Sequence, residues 1–350
     1  MSFRFGIVGA GWYGCHIASS FRALGFDVTV FESEDEPFSK ASGHNQFRLH
    51  QGFHYARSYR TRVQSRDGFM RFIERYPGLS AKIDTNLYAV PNSDTLIDFL
   101  TYRLIMTSTG IEFREVDPKA YDLNECTGAL LTDERLLLTK KAKQHFTARL
   151  SGSLRLGERI VSIEESSKGV SLNGIHFDYV VDATWGGLSR INVPVYYEPT
   201  LLLYYKSTHI KSYALTMVDG QLCSIYPTEE PDLYTLSSVS HTPLGRTRSM
   251  SEAEYLLSQT SNQTIAEKSR MMEGQVKKYY PHFQEHFEFA GPQMSIKTKI
   301  IGASDDRSCY VSKQGRRFIV MSGKIDTIFY AVESILSMLE ADNETLMVRQ

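Results

Sequence analysis

The N-terminal residues alternate apolar and polar stretches in an order that predicts a strand, a helix and a second strand. An apolar run at residues 5–8 is followed by an amphipathic stretch that reaches Leu24, and Gly25 ends that stretch. A second apolar run occupies residues 28–31 and stops at Glu32. Two short apolar strands on either side of one amphipathic helix are typical of a parallel α/β sheet.

The turn between the first strand and the helix reads Gly-Ala-Gly-Trp-Tyr-Gly over residues 9–14. This is the G-x-G-x-x-G fingerprint in the strand–turn–helix context that a dinucleotide site requires. The first glycine permits the tight turn, the second lets the backbone approach a pyrophosphate, and the third lets the helix pack closely on the strand. The carboxylate that ends the second strand accepts hydrogen bonds from ribose hydroxyls and repels a 2′-phosphate, which disfavours NADP. The nucleotide-binding residues predicted from this unit are Gly9, Gly11, Trp12, Tyr13, Gly14 and Glu32.

The strand-then-turn pattern recurs twice, with strand-rich sequence between the two occurrences. Apolar residues 179–181 run into the segment Asp182-Ala183-Thr184-Trp185, and an apolar strand at 317–321 runs into a turn at 322–326 and a final helix. Between them, residues 195–239 contain four strand-like runs, and Asp219-Gly220 is predicted to join two of these in a hairpin. Asn173-Gly174 predicts another hairpin, with a two-residue turn.

One further helix is predicted from its boundaries as well as from its periodicity. Ser93 is placed to cap it, Gly110 is placed to end it, and four apolar residues fall on one face between these limits. Those residues are Leu96, Ile97, Leu100 and Leu104.

These patterns together predict an α/β fold with a discontinuous Rossmann-type nucleotide-binding domain and an inserted, antiparallel or mixed β-sheet domain for the substrate. The nucleotide-binding domain is predicted to comprise residues 1–80, 140–195 and 300–350. The substrate domain is predicted to comprise residues 81–139 and 196–299.

Composition narrows the classes of partner. The chain has 350 residues, of which 42% are hydrophobic, and a net charge of −1. This charge gives no attraction for nucleic acid, and the apolar runs are too short for a membrane span. The first strand begins at Phe3, which leaves no room for a signal peptide, and the four cysteines form no C-x-x-C pair. We therefore expect a cytoplasmic protein with free thiols and no metal site.

Three segments carry a resemblance to a known family. They are the fingerprint with Glu32, the loop from Ala41 to Arg57, and the segment from Asp178 to Thr184. With these segments the chain resembles the D-amino-acid-oxidase-like class of FAD-dependent oxidoreductases, which includes glycine oxidase and L-2-hydroxyglutarate dehydrogenase. In that class the first segment holds the ADP half of FAD, and the loop lies on the flavin side.

The resemblance implies FAD as cofactor and adds residues to the nucleotide site. The class has a glycine–histidine turn over the flavin, and Ser322-Gly323-Lys324-Ile325-Asp326 stands in its place here. A helix N-terminus with an adjacent lysine would stabilise the anionic reduced flavin, although Gly323 and Lys324 would also suit a solvated turn. The further cofactor-binding residues are Ser42, Asn45, Ala183, Thr184, Trp185, Gly323, Lys324, Ile325 and Asp326.

Four residues are candidates for catalysis. His50, on the loop expected beside the flavin, would act as a base on an α-hydroxyl or amine, would form a hydrogen bond to flavin N5, or would be a packed histidine bonded to backbone. Arg48 and Arg307 would clamp a substrate carboxylate, although Arg48 also suits a pyrophosphate and Arg307 a surface salt bridge. Tyr226 lies in the strand-rich half that roofs the substrate in this class.

The resulting hypothesis is a FAD-dependent oxidoreductase that transfers a hydride from a C–N or C–O centre of a small amino or hydroxy acid to flavin N5. Oxygen or an electron carrier would reoxidise the flavin. Two alternatives use the same fingerprint: an NAD-dependent dehydrogenase, and a flavin or nucleotide-sugar enzyme without net redox chemistry.

Overall fold

The structure is a computed structural model that describes residues 3–189, 193–302, 306–321 and 323–348. Its strands, in chain order, are β1 (Arg4–Val8), β2 (Asp27–Phe31), β3 (Arg48–Leu49), β4 (Ser80–Lys82), β5 (Thr85–Pro91), β6 (Arg114–Val116), β7 (Cys126–Leu131), β8 (Arg135–Leu137), β9 (Leu154–Arg155), β10 (Ile163–Ser166), β11 (Gly169–Leu172), β12 (Ile175–Phe177), β13 (Tyr179–Asp182), β14 (Val195–Lys206), β15 (Tyr213–Met217), β16 (Cys223–Pro227), β17 (Leu233–Ser238), β18 (Glu288–Ile300), β19 (Tyr310–Gln314) and β20 (Arg317–Met321). Its helices are α1 (Trp12–Ala23), α2 (Tyr59–Arg75), α3 (Phe99–Ser108), α4 (Thr139–Arg149), α5 (Met250–Ser258), α6 (Asn262–Tyr279), α7 (Phe283–His286) and α8 (Ile328–Val348), with a 3₁₀ turn at Pro118–Tyr121.

The chain folds into two units, each built from separated segments. The first unit comprises Met1–Gly43, Lys140–Val195 and Arg307–Gln350, and the second comprises His44–Thr139 and Tyr196–Asp306. These bounds differ from the predicted domain bounds chiefly at residues 44–80, which group with the second unit. The reason lies in pairing: β3 and β4 both pair with β8, and Arg62 of α2 donates to Thr109 at 2.6 Å.

The first unit contains a six-stranded sheet in the order β19-β20-β13-β1-β2-β9. Every pairing in it is parallel except that of β19 with β20. Helix α1 connects β1 to β2 and packs against α8. Phe5 and Phe21, both fully buried, join strand to helix with ring centroids 4.6 Å apart. This arrangement brings the carboxyl ends of β1, β2 and β13 to one edge of the sheet, where α/β proteins bind nucleotides.

The second unit contains an eight-stranded mixed sheet in the order β18-β14-β17-β16-β15-β5-β7-β6. One sheet face forms a hydrophobic core with α6, whose Met272 and Val276 are fully buried. The prediction of an α/β fold with a mixed β-sheet is therefore confirmed. Within the described ranges, no helix combines the length and the apolarity that a bilayer crossing requires.

Candidate flavin and substrate sites

The glycines of the fingerprint are required by close backbone approaches in the first unit. Gly9 has φ +100°, a conformation that L side chains rarely adopt. A Cβ on Gly14 would overlap the carbonyl oxygen of Gly9, so only glycine lets α1 start this close to β1. A Cβ on Gly11 would lie 2.5 Å from the Ser42 hydroxyl oxygen. The turn is thus a cradle that any side chain would fill.

Glu32 and Ser42 reach this cradle from two other segments. Glu32 Oε2 accepts a hydrogen bond of 2.8 Å from the Ala10 backbone, which sets the carboxylate beside the turn. The Trp12 N–H, in the first turn of α1, donates to Ser42 Oγ at 3.2 Å. The Trp12 indole is only 1% exposed and packs edge-on against Phe38.

The segment after β13 is held by a buried carboxylate. Asp182 is 1% exposed and accepts from the Thr184 N–H at 2.9 Å and from its hydroxyl at 2.6 Å. Its second oxygen accepts from the Ser189 N–H at 2.8 Å. The Ala183 N–H donates to Val8 O at 2.9 Å, which ties this turn to the end of β1. Trp185 follows with φ +58°.

The turn before α8 is bonded to α1. The Tyr13 hydroxyl donates to Lys324 O at 2.5 Å and lies 2.7 Å from the Thr327 hydroxyl. Asp326 is fully buried, whereas Lys324 and Ile325 are partly exposed. Gly323 lies close to Trp185 and Arg307, since a Cβ on it would be 3.7 Å and 3.8 Å from their side chains. Ser322, the first residue of the predicted turn, lies outside the described residues.

These features fit the ADP half of a flavin dinucleotide. The glycine cradle at the N-terminus of α1 offers N–H groups and a positive dipole end to a pyrophosphate. Glu32 lies at the carboxyl end of β2, beside the cradle, where it can accept hydrogen bonds from ribose hydroxyls. The first unit is thereby a Rossmann-type dinucleotide-binding domain.

The second unit contains a buried polar surface of a different kind. Side chains alternate across a strand, so the residues between the core positions of β5, β15 and β16 face away from the hydrophobic core. Four of them are polar and at most 6% exposed: Tyr88, Thr216, Ser224 and Tyr226. Gln46 bonds to this face, since its amide nitrogen lies 3.0 Å from Ser224 Oγ and also contacts Ser237.

Arg48 lies on this polar face, and two of its three guanidinium nitrogens have no hydrogen-bond partner among the described residues. The residue is 4% exposed. Its Nη1 donates to Thr216 Oγ1 at 2.7 Å, and its guanidinium carbon lies 4.2 Å from the ring centroid of Tyr226. Nε and Nη2 are buried and have no hydrogen-bond partner among the described residues. These two nitrogens form the adjacent, parallel pair of donors that binds both oxygens of a carboxylate.

His50 and Glu134 form the second part of this surface. Glu134 is fully buried and accepts from the Gln51 N–H at 2.7 Å and from the Tyr88 hydroxyl at 2.5 Å. His50 is 6% exposed, and its Nδ1 lies 3.7 Å from Glu134 Oε2. Burial raises the pKa of the Glu134 carboxyl, whereas the Tyr88 and Gln51 donors and the charge of Arg48 act in the opposite direction.

The structure brings together three of the four predicted catalytic residues within one unit. Arg48, His50 and Tyr226 share the polar face or its edge, whereas Arg307 belongs to the first unit, beside Gly323. Asn45 belongs to the second unit, where its side chain accepts from the Phe47 N–H at 2.5 Å.

The sequence did not point to Glu134, because this residue belongs to no motif. It accepts a hydrogen bond from the Gln51 N–H, which is 83 positions away along the chain. Its only sequence signal is a carboxylate between the apolar runs 128–131 and 136–138, which is weak by itself.

Comparison with known proteins identifies the family. The DAO family model, described as FAD dependent oxidoreductase, matches residues 4–323. The chain is 51% identical over 338 residues to the FAD-dependent monooxygenase FPY4 of Fusarium mangiferae, an alignment that covers 97% of this chain and 91% of that protein. The chain belongs to the DAO family of FAD-dependent oxidoreductases.

Solved structures agree on the fold at low sequence identity. Glycine oxidase from Geobacillus kaustophilus superposes with a TM-score of 0.73 at 14% identity, covering 97% of this chain and 95% of that one. L-α-glycerophosphate oxidase from Mycoplasma pneumoniae with FAD bound gives 0.75 at 11% identity, with coverages of 97% and 95%. The predicted family, enzyme class and FAD cofactor are therefore confirmed, and FAD rather than NAD is the dinucleotide.

Proposed function

We propose that this enzyme oxidises a C–N or C–O centre adjacent to the carboxylate of a small amino or hydroxy acid. The observation that carries the proposal is the buried guanidinium of Arg48, whose Nε and Nη2 donors have no hydrogen-bond partner among the described residues. Burial of a cation whose two adjacent N–H donors have no acceptor raises the free energy of the folded protein unless an anion binds there. A carboxylate has the geometry that accepts both hydrogen bonds.

Arg48 is held in place for this task by groups that do not compete with the substrate. The Thr216 hydroxyl uses Nη1 only, and the Tyr226 ring supports one face of the guanidinium. Cation–π contact and the single hydrogen bond fix the plane of the fork before the ligand arrives, which reduces the entropy lost on binding. Tyr226 itself is anchored, since its hydroxyl donates to Arg135 O at 3.2 Å.

His50 is the proposed proton acceptor. Oxidation of an α-hydroxyl or amine removes one proton from oxygen or nitrogen and one hydride from carbon. The imidazole of His50 would take the proton, because its ordinary pKa lies near neutrality and because it belongs to the same unit as Arg48. FAD, when bound, supplies the hydride acceptor.

The residues proposed to hold FAD are drawn from those predicted from the sequence, and each group serves a different part of the cofactor. The cradle at Gly9, Gly11 and Gly14 and the hydroxyl of Ser42 serve the phosphates, and Glu32 serves the ribose. The turn at Gly323 and Lys324, at the start of the last helical segment, is proposed for the flavin ring, with Arg307 next to it.

A second candidate reaction is suggested by the relative that is 51% identical to this chain, the FAD-dependent monooxygenase FPY4. In that reaction the carboxylate site would still bind the substrate, but an atom of oxygen would be incorporated into the product. The two candidates differ in product and share the Arg48 site.

Anaerobic stopped-flow spectroscopy of the holoenzyme tests the proposal. A panel of amino and hydroxy acids should contain members that bleach the oxidised-flavin absorbance, because hydride transfer reduces the flavin. Product analysis under ¹⁸O₂ then distinguishes simple oxidation from oxygen insertion. If no acid in the panel bleaches the flavin while dithionite does, the proposed substrate class is wrong, and a flavin enzyme without net redox chemistry becomes the better account.

A further inference from the structure

Glu134, a carboxylate that belongs to no sequence motif, lies next to His50, the proposed proton acceptor. Glu134 sits in the turn between β7 and β8, with no exposed surface. We propose that Glu134 is a positioning residue that orients the His50 imidazole through Nδ1 and stabilises its protonated form. The role of this pair in turnover rests on the proposed function, whereas the pairing itself does not.

Two hydrogen bonds from residues other than His50 hold the Glu134 carboxylate in place. Its Oε1 accepts from the Gln51 N–H at 2.7 Å, and its Oε2 accepts from the Tyr88 hydroxyl at 2.5 Å. Tyr88 cannot swing away, since it is fully buried and its ring packs 5.4 Å from that of Phe53. A carboxylate held in this way is a fixed charge and a fixed acceptor for the imidazole next to it.

The imidazole is confined as well. Its ring meets Tyr55 edge-on, with centroids 5.5 Å apart, and lies 5.9 Å from the ring of His54. Nδ1 is the nitrogen nearest Glu134, at 3.7 Å from Oε2. At 3.7 Å the two atoms form an ionic contact and not a hydrogen bond. The neighbouring carboxylate would favour the tautomer of the neutral ring with its proton on Nδ1, which would leave Nε2 with the lone pair.

The titratable and charged groups around the pair come from four elements and their loops. They are Arg48 on β3, His54 and Tyr55 on the loop that follows it, Tyr88 on β5, Tyr102 on α3 and Tyr226 on β16. Burial raises the pKa of Tyr88, Tyr102 and Tyr226, so these phenols stay neutral near physiological pH. Among the residues named here, Arg48 carries a permanent positive charge and Glu134 a carboxylate.

The proposed oxidation moves one proton and one hydride from the substrate. The O–H or N–H bond of the substrate breaks, and its proton forms a bond to His50 Nε2. FAD, when bound, would be the oxidant: it would accept the hydride, which carries the two electrons of the C–H bond. The imidazolium so formed faces Glu134, whose charge offsets it inside a buried site.

Titration of the His50 imidazole in the holoenzyme tests the pairing without any substrate. Selective ¹³C labelling of histidine and comparison with His50→Gln assigns the signal. An ionised carboxylate favours the imidazolium, so Glu134→Gln should lower the pKa of His50 by about one unit. Glu134→Asp, which keeps the charge, should move it less. The ¹³C signal of His176, which is exposed in the first unit, is the internal control and should be the same in all variants. An unchanged His50 pKa in Glu134→Gln overturns the proposal.

A reciprocal measurement covers the case in which Glu134→Gln does not retain its fold or its FAD. Coupling between two sites is mutual, so removal of the imidazolium in His50→Gln should raise the pKa of the ¹³C-labelled Glu134 carboxyl. A Glu134 titration that is the same with and without His50 would overturn the pairing.

The kinetic consequence is a shift in the pH profile of flavin reduction. The rate should rise with pH as His50 loses its proton, and in Glu134→Gln this rise should occur at lower pH with a lower plateau, because the base is weaker. If Glu134→Gln lowered the rate of flavin reduction by the same factor at every pH, the role of Glu134 would be structural only. A holoenzyme with the expected His50 titration but no reducing acid would refute the proposed function and leave the pairing intact.

Discussion

Arg48 is the residue on which the substrate assignment depends. The Arg48 guanidinium is 4% exposed, and no carboxylate of a described residue bonds to it directly, so it loses hydration without full compensation. The Tyr226 ring, the Thr216 hydroxyl and the more distant charge of Glu134 recover part of that loss. What remains uncompensated is the edge of the guanidinium formed by Nε and Nη2, which explains why a bound carboxylate would be strongly favoured there.

Replacement of Arg48 by lysine should separate charge from geometry. The ammonium group of Arg48→Lys would keep the positive charge, but the variant would lose the parallel donors and the planar contact with Tyr226. We expect kcat/KM for the carboxylate substrate to fall on the order of 100-fold, about 2–3 kcal/mol, with FAD content unchanged. Arg60→Lys, on the exposed side of α2, is the matched control and should leave both quantities unaltered. Loss of FAD in parallel with activity would instead make Arg48 a cofactor contact.

At the residue scale, Arg48 and His50 were selected because they lie on the loop that resembles the flavin-side loop of the family, and Tyr226 because it lies in the strand-rich half. The catalytic roles of these three residues stay predictions. Glu134 was not selected, because its importance comes from Gln51, Tyr88 and His50, which approach it only through tertiary folding.

Elements were predictable where a turn residue determines the conformation. Asn173 and Gly174 have φ +48° and +84°, and they form the predicted hairpin between β11 and β12. The predicted start of α3 at Ser93 was wrong, because Asp98 caps the helix by accepting from the Thr101 N–H at 2.8 Å. Four residues before the helix are of types that cap helices, namely Ser93, Asp94, Thr95 and Asp98, and local sequence does not show which of them the tertiary structure selects.

The apolar face of the same helix also illustrates a limit of periodicity. Leu96, Leu100 and Leu104 follow a four-residue spacing, yet they are 62%, 56% and 57% exposed. The helix instead buries Tyr102 and Met106, which pack near Phe53 and Tyr88. A repeat in the sequence defines a face, but which face the core covers depends on the neighbouring elements.

The turn between β1 and α1 should lose its ability to bind FAD when Gly11 is replaced by valine. Gly11→Val would place side-chain atoms against Ser42, disturb its bond to the Trp12 N–H, and fill the space that a pyrophosphate would use. We expect this variant to be purified without FAD and to remain colourless after FAD is added. Gly78→Val is the control, because a Cβ there meets no atom within 4 Å. A fully yellow Gly11→Val protein would contradict this placement of the cofactor.

At the scale of the whole molecule, a strand followed by a turn occurs in the sequence at residues 5–14, 179–185 and 317–326. This recurrence is what predicted a discontinuous domain. Because parallel strands need crossovers, β1, β13 and β20 can be neighbours only if the chain leaves the sheet and returns to it. Residues 44–80 were harder to assign, since the two-residue strand β3 and the hydrogen bonds of α2 show no periodicity that reveals their partners.

The central claim is that FAD in this enzyme is reduced by a substrate held through its carboxylate. The most direct measurement compares anaerobic flavin reduction by the most reactive acid of the panel with reduction by its methyl ester, in the same holoenzyme. The ester keeps the oxidisable carbon but has no anion for Arg48, so reduction should be slower by on the order of 100-fold at equal concentration. Equal rates for acid and ester would show that the carboxylate is not recognised and would contradict the account.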